Sequence, residues 1–136
     1  MGSIIRTAET AGIHGVIIPK RRSVAVNNTV AKVSTGATSY VKIARVNNLN
    51  ETIRFLKDKG LWLIGTDGEA ETLYYNQDLK GPLAIIIGSE GYGMSKLVKE
   101  NSDCLIKIPM KGKITSLNAS VSAGIIIYEA VKQRTN

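Results

Sequence analysis

The residues that could carry chemistry are concentrated where apolar runs of the chain end. The run "LAIIIGSEGYGM", Leu83 to Met94, ends in three glycines that surround one acid, Glu90. Two other runs end in similar stretches, "GTDGE" after Trp62–Ile64 and "IPMKGKITSLN" after Leu105. Ligands of open α/β sheets bind outside the carboxyl ends of the strands. The three stretches therefore predict a pocket built from backbone amides and small polar side chains.

Common nucleotide-binding and hydrolase motifs do not describe this pocket. A dinucleotide fingerprint requires G-x-G-x-x-G, whereas Gly88, Gly91 and Gly93 give G-x-x-G-x-G. A P-loop requires G-K-[ST], which "GYGMSK" lacks. His14 is the only histidine and Cys104 the only cysteine, so neither a Ser–His–Asp triad nor a zinc site is expected. The residues alone indicate a small-molecule pocket without identifying its ligand.

Composition narrows the class of protein. The chain has 136 residues and a net charge of +7, which suits a single domain with an anionic partner such as nucleic acid. Solubility alone would also explain such a charge, and the cluster "PKRRS" (Lys20, Arg21, Arg22) could be a solvated loop.

Because no apolar run approaches about 18 residues and no signal peptide is evident, we expect a cytoplasmic protein without membrane spans. Cys104 is interpreted as a buried thiol.

The elements that must position the pocket alternate between strands and helices. Apolar runs predict strands at Gly15–Pro19, Ser39–Val46, Leu61–Asp67, Leu83–Gly88 and Cys104–Pro109. Helical patterns lie before and between them, with Asn50 placed to cap the second helix and a stripe of Val121, Ile125, Tyr128 and Val131 on the last. The alternation predicts an α/β fold with a mostly parallel sheet and helices on both faces.

Two long segments resemble the motifs of one family. "IIIGSEGYGMSKLVKENSDCLIKIPMKGKITSLNASVSAGIIIYEAVKQR", Ile85 to Arg134, closely resembles the two C-terminal motifs of the SpoU/TrmH family, within the SPOUT superfamily of RNA methyltransferases. "GSIIRTAETAGIHGVIIPKRRS" resembles the remainder of that family's first motif. The chain looks most like the bacterial enzymes that methylate a guanosine ribose in 23S ribosomal RNA (the RlmB group). The resemblance implies a C-terminal deep trefoil knot, running from about Gly88 to the last helix, which no pattern in the sequence would suggest.

The resemblance also implies a reaction and its residues. The reaction is transfer of a methyl group from S-adenosylmethionine to a ribose 2′-hydroxyl of ribosomal or transfer RNA. The implied cofactor contacts are Thr66, Gly68, Gly88, Ile108 and Leu117, and the implied catalytic positions are Arg6, Glu90, Ser116 and Asn118. The loop cations expected to contact RNA are Lys20, Arg21, Arg22 and Lys113. For several of these residues the alternative is a purely structural role. The glycines could form tight turns, the apolar residues could belong to the core, and Glu90 or Asn118 could cap a helix.

The chain departs from the family pattern at its start. The family's first motif has an asparagine six residues before the position of Arg6, which here would precede Met1, and the leading strand is missing too. Residues 1–136 are therefore predicted to be an N-terminally truncated catalytic domain that lacks the family's small RNA-binding domain. The alternatives are an RNA-binding module of the same fold without transfer activity, and an α/β enzyme that uses another nucleotide. Because family members pair through the knot face and "GIIIYEAV" is more apolar than one face requires, a homodimer is expected.

Overall fold

The computed structural model describes residues 2–20, 41–88 and 95–135. The chain divides into two compact units, Met1–Leu49 and Asn50–Asn136. The elements of the first unit are α1 (Gly2–Thr10), β1 (Gly15–Pro19) and β2 (Lys42–Val46). Helix α2 (Leu49–Asp58) begins on the last residue of the first unit and otherwise belongs to the second. The other elements of the second unit are β3 (Trp62–Thr66), β4 (Thr72–Leu73), a 3₁₀-helix (Tyr74–Asn76), β5 (Leu83–Ile86), α3 (Lys96–Asn101), β6 (Cys104–Lys107) and α4 (Ala119–Thr135).

The described part of the first unit contains one helix and two parallel strands, with buried residues of its own. β1 and β2 pair in parallel, with Gly15 opposite Lys42 and Pro19 opposite Val46. Helix α1 ends at Thr10, two residues before Gly12, whose φ of 75° is in the left-handed region that favours glycine. The side chains buried in this unit come from α1, β1 and the residue before β2: Ile5, Ala8, Ile18 and Val41.

The second unit is built on a parallel four-stranded sheet. Its strand order is β4-β6-β3-β5, and every pairing between neighbours is parallel. Leu63 and Ile64 are consecutive in β3 and both 0% exposed, so both faces of the sheet are covered, because successive strand side chains point to opposite faces. The predicted α/β class with parallel strands is thus confirmed.

The trefoil knot stays a prediction. The connection from β5 to α3 includes residues 89–94, which lie outside the described residues. None of the helices described is long and apolar enough to cross a bilayer.

Helix α4 presents a different face to the core than the sequence pattern predicted. The buried residues are Ala123, Ile126, Ile127 and Ala130, whereas Val121 and Tyr128 of the predicted stripe are 49% and 45% exposed. Both sets have helical spacing, because the helix is apolar around most of its circumference. Alanine at two buried positions lets the helix backbone approach the sheet closely, and Ile126 packs with Ile64 and Ile106 in the main core cluster. The predicted stripe was therefore wrong as a core face.

Two local predictions also need correction. Asn50 does not cap α2 but lies inside its first turn, where its Oδ1 accepts a hydrogen bond from Asn101 Nδ2 at 3.0 Å. Cys104 is only partly buried, at the start of β6. Burial raises the pKa of its thiol and nearby Asp103 adds to the increase, while a hydrogen bond with Trp62 opposes it. The thiol is thus kept in its protonated, less reactive form.

The C-terminal end of α4 is fastened to the segment that leads into β5. Gln133 Oε1 accepts a hydrogen bond from the backbone N–H of Leu79 at 2.7 Å, and its Nε2 donates to Gln77 O at 3.0 Å. Arg134 donates from Nε to Leu79 O at 3.1 Å and from Nη2 to Gly81 O. Leu79 is fully buried, so its N–H has no access to water as an alternative acceptor.

We predict that Gln133→Ala lowers the free energy of unfolding by about 1–3 kcal/mol, because it leaves the buried Leu79 N–H without an acceptor. The matched control is Lys132→Ala, which removes a mostly exposed side chain whose nearest carboxylate, Glu129, lies 4.0 Å away. Urea unfolding of both variants measures the difference. Equal stability of the two variants would contradict the assigned role of Gln133.

Candidate functional site

The carboxyl ends of β3 and β5 are joined by one hydroxyl group. Thr66 Oγ1 donates to Ile86 O at 3.0 Å and accepts from Gly88 N at 3.4 Å. The hydroxyl therefore holds the backbone at the end of β5 against the last residue of β3. This contact brings together Thr66 and Gly88, two of the positions predicted to contact the cofactor.

The turn after β3 is held by Asp67. Its backbone N–H donates to Ile106 O at 3.0 Å, and its Oδ1 accepts from the backbone N–H of Glu69 at 3.3 Å. Its Oδ2 lies 3.3 Å from Lys99 Nζ, in an ion pair with α3. A Cβ placed on Gly68 would meet no atom within 4 Å, so a ligand can approach the backbone of this turn.

An open cleft of about 650 Å³ lies beside this turn. Four of its lining residues follow β3 in the chain: Gly68, Glu71, Leu73 and Tyr75. The others are the segment 107–112 at the end of β6, together with Ile114 and Thr115. The cleft brings together Gly68 and Ile108, two further predicted cofactor positions.

A second cleft, of about 420 Å³, is bordered by the same loop. It is lined by residues 109–114 and 116–118, and it gathers four predicted site residues: Lys113, Ser116, Leu117 and Asn118. The two clefts share residues 109–112 and Ile114. Ile114 is 79% exposed, an unusual position for an isoleucine in a loop that borders two clefts.

Several predicted residues are not placed at these clefts. Arg6 and Lys20 are exposed residues of the first unit, on α1 and directly after β1. Glu90, Arg21 and Arg22 lie outside the described residues, so their roles remain predictions. Within the described ranges, no group of three or more His, Cys, Asp or Glu side chains is arranged to hold a metal ion.

Asn118 caps helix α4. Its Oδ1 accepts hydrogen bonds from the backbone N–H groups of Ser120 at 2.8 Å and Val121 at 3.3 Å. It also accepts one from the Ser120 hydroxyl. These contacts satisfy two N–H groups that the first turn of a helix leaves without partners. The capping alternative is thus realised in the structure, and a role in the reaction stays a prediction.

Two cleft residues were not anticipated from the sequence. Glu71 and Tyr75 flank β4, a two-residue strand too short to show an alternating pattern. They reach the cleft because Thr72 pairs with Ile106 and Leu73 with Lys107. The only local signal was an aromatic pair, Tyr74 and Tyr75, between two polar stretches.

A parallel sheet with a cleft at the carboxyl ends of its strands is the arrangement in which α/β proteins bind their ligands. The family model described as "SpoU rRNA Methylase family" matches residues 1–128. The chain belongs to this family, as its motifs predicted.

Individual relatives agree with this assignment. The chain is 54% identical over 134 residues to a Bacillus subtilis (strain 168) protein assigned to the TrmH family of tRNA/rRNA methyltransferases, covering 98% of this chain and 54% of the relative. It superposes with a TM-score of 0.91 and 32% identity on the SpoU methyltransferase AviRb of Streptomyces viridochromogenes in complex with AdoMet, covering 98% of this chain and 55% of AviRb. A crystal structure described as an RNA 2′-O ribose methyltransferase gives a TM-score of 0.89 at 32% identity, over 99% of this chain and 52% of that one. The chain spans about half the length of the relatives it matches.

We predict that Asn118→Ala lowers the free energy of unfolding by about 1 kcal/mol, because it removes the cap of α4. Asn118→Ser retains a capping oxygen and should stay close to the wild-type stability in urea unfolding. Ser116→Ala, in the same exposed loop, serves as the control for loop substitutions without a cap. Equal losses of unfolding free energy in the alanine and serine variants at position 118 would contradict a capping role.

Proposed function

We propose that this chain is the S-adenosylmethionine-dependent part of an RNA methyltransferase that modifies a ribose 2′-hydroxyl. The observation that carries the proposal is the arrangement of the strand ends in a chain of the SpoU family. Thr66 and Gly88 are hydrogen-bonded to each other, and Gly68 and Ile108 line one cleft. The cofactor bound to AviRb and the reaction in the description of the second structure support the same activity.

The residues present fit this cofactor. The larger cleft, about 650 Å³, is of the size expected for a small-molecule site, roughly 300–1,000 Å³. Open space beside Gly68 and Gly112 lets a ligand approach the backbone on both sides of the cleft. Apolar side chains of Ile108 and Met110 stand beside the polar groups of Glu71 and Thr115. Such a mixture suits a molecule with an apolar base, a polar sugar and a charged amino acid.

When bound, S-adenosylmethionine supplies a methyl group that its sulfonium already activates for transfer. The chain must then align a ribose hydroxyl for in-line attack, and alignment of this kind can contribute about 7 kcal/mol or more. Ser116 and Asn118, which line the smaller cleft, are proposed to help hold the substrate. Because Asn118 Oδ1 is engaged by the cap of α4, only its Nδ2 would donate to a ligand.

As the 2′-oxygen bonds to the methyl group and the sulfonium leaves as a thioether, the ribose hydroxyl must lose its proton, for which solvent water is the acceptor proposed here. Arg6 stays protonated in proteins and is a poor general base. We propose that Arg6 binds an RNA phosphate or stabilises the developing alkoxide, for which a permanent positive charge is suited. Glu90 is proposed to orient a partner group at the mouth of the site.

The substrate is proposed to be RNA, with a guanosine of 23S ribosomal RNA as the specific target and transfer RNA as the alternative. The net charge of +7 supports an anionic partner. Lys20, Arg21, Arg22 and Lys113 are proposed to contact its phosphates, and Lys113 lines the smaller cleft. An RNA-binding module without transfer activity is the second candidate, favoured by the same charge.

We predict that the chain binds S-adenosylhomocysteine, measurable by isothermal titration calorimetry, and incorporates labelled methyl groups from S-adenosylmethionine into RNA in an alkali-resistant form. A 2′-O-methyl group blocks alkaline cleavage at its nucleotide, because the 2′-oxygen can no longer attack the phosphate. Methylation of a base would leave the linkage sensitive to alkali. Binding of RNA without binding of S-adenosylhomocysteine would instead support the second candidate.

We predict that Arg6→Ala reduces methyl transfer by at least about 100-fold, the loss typical for removal of a group that stabilises developing charge. Affinity for S-adenosylhomocysteine should be unchanged, since the proposed interaction is made with RNA and the transition state. Arg54→Ala, an exposed arginine on α2, is the matched control and should retain transfer. Equal transfer rates for the two variants would contradict the role of Arg6.

A homodimer is also proposed, and α4 supplies the apolar surface for it. Val121 and Tyr128 are exposed on the side of α4 that faces away from the core, where they form an apolar stripe. We predict that Val121→Glu with Tyr128→Glu converts a dimer into a monomer in light scattering at micromolar concentration. Phe55→Glu, which alters an exposed aromatic residue on α2, should leave the dimer intact. A wild-type monomer would remove this proposal without affecting the others.

A further inference from the structure

The aromatic residue Tyr75 has no assigned role, although it lines the larger cleft. It belongs to the 3₁₀-helix and is 48% exposed. Its ring meets the ring of Tyr74 edge-on, with centroids 5.0 Å apart and an interplanar angle of 85°. Tyr74 in turn packs against the main core cluster. The ring of Tyr75 is therefore supported from behind, while about half of its surface remains available to a ligand.

Glu71 lies on the same side of the cleft, four residues earlier. Between Glu71 and Tyr75, residues Thr72 and Leu73 pair with β6, which fixes this segment against the strand that leads to Ile108. The lining of the cleft thus combines an aromatic ring and a carboxylate with Lys107, Lys111 and apolar side chains. An aromatic face binds a planar base, and a carboxylate accepts hydrogen bonds from the hydroxyls of a ribose.

We propose that Tyr75 and Glu71 bind the adenosine half of the cofactor, with the base stacked on the Tyr75 ring and the ribose hydroxyls donating to the Glu71 carboxylate. This inference rests on the proposed function. The cofactor is a better occupant than a nucleotide of the RNA substrate because two of the five predicted cofactor positions, Gly68 and Ile108, line this same cleft.

Calorimetry with three variants tests the stacking contact. Tyr75→Ala should weaken binding of S-adenosylhomocysteine about tenfold or more, since base–aromatic stacking contributes about 1–3 kcal/mol per base. Tyr75→Phe should bind like the wild type, because it keeps the ring. Phe55→Ala removes an exposed ring that is far from the cleft residues in sequence and does not line the cleft. The affinity of this variant for S-adenosylhomocysteine should therefore also be unchanged. Tyr75→Leu, which keeps apolar volume without a ring, replaces the alanine variant if that variant unfolds more easily in urea.

5′-Methylthioadenosine separates the two halves of the cofactor. It has the adenosine half without the amino acid, so Tyr75→Ala should weaken its binding by the same factor as for S-adenosylhomocysteine. A smaller factor for 5′-methylthioadenosine would assign Tyr75 to the amino acid half and overturn the proposal. The ribose contact is tested with Glu71→Gln, which should weaken 5′-methylthioadenosine but hardly affect its 2′,3′-dideoxy analogue. Equal weakening of both would exclude a bond from the ribose hydroxyls to Glu71.

The remaining outcomes distinguish this inference from the proposed function. If the wild type binds S-adenosylhomocysteine and Tyr75→Ala binds it equally well, the inference is wrong and the proposed function stands. If Tyr75→Ala weakens only RNA binding, the ring stacks on a base of the substrate and the inference is again wrong. If the wild type does not bind S-adenosylhomocysteine at all, both fail together.

Discussion

Strand β3 lies between β5 and β6 and pairs with both in parallel, so the carboxyl ends of the three strands come to the same edge of the sheet. The features of the candidate site in the second unit follow from this arrangement. At that edge Thr66 can bond to the end of β5, and Asp67 can continue the pairing with β6. An antiparallel partner would present its amino end there instead, and the three predicted polar stretches would be divided between two edges.

The strands that produce this edge are short, between two and five residues in the second unit, so their ladders contain few hydrogen bonds. Side-chain bonds to the backbone reinforce them at both ends. At the amino end, the carboxylate of Asp103 accepts from the backbone N–H of Leu63 at 2.7 Å and lies 3.5 Å from Lys57 Nζ. At the carboxyl end, Thr66 and Asp67 have the equivalent role. Hydrogen bonds to charged groups are stronger than hydrogen bonds between neutral groups. Such bonds can therefore hold a site that is assembled from loops in place.

The extent to which the sequence predicted this structure differs from element to element. The apolar run Gly15–Pro19 was located to the residue, because a glycine and a proline bound its β-branched residues, although only Ile18 of this strand is buried. β4 was missed because a two-residue strand exists only through its pairing with the distant β6, which no local pattern records. The same long-range pairing brings Tyr75 to the cleft, so its position could not be predicted either. The cofactor positions taken from the family motifs stay predictions, whereas the core face of α4 depended on packing that its apolar residues, spread around most of the helix, left undecided.

The loop of residues 109–118 links the parts of this site energetically. Its residues 109–112 and Ile114 line both clefts, and its last residue caps α4. A ligand that binds in the larger cleft and orders the loop would also order the loop residues that line the smaller cleft. The conformational entropy that the loop loses when this first ligand binds would not be lost again when a second ligand binds in the smaller cleft. The loop is exposed from Met110 to Asn118, so it has few packing contacts of its own to supply that order. Two ligands bound in the two clefts would therefore favour each other's binding, and by thermodynamic linkage the effect is equal in both directions.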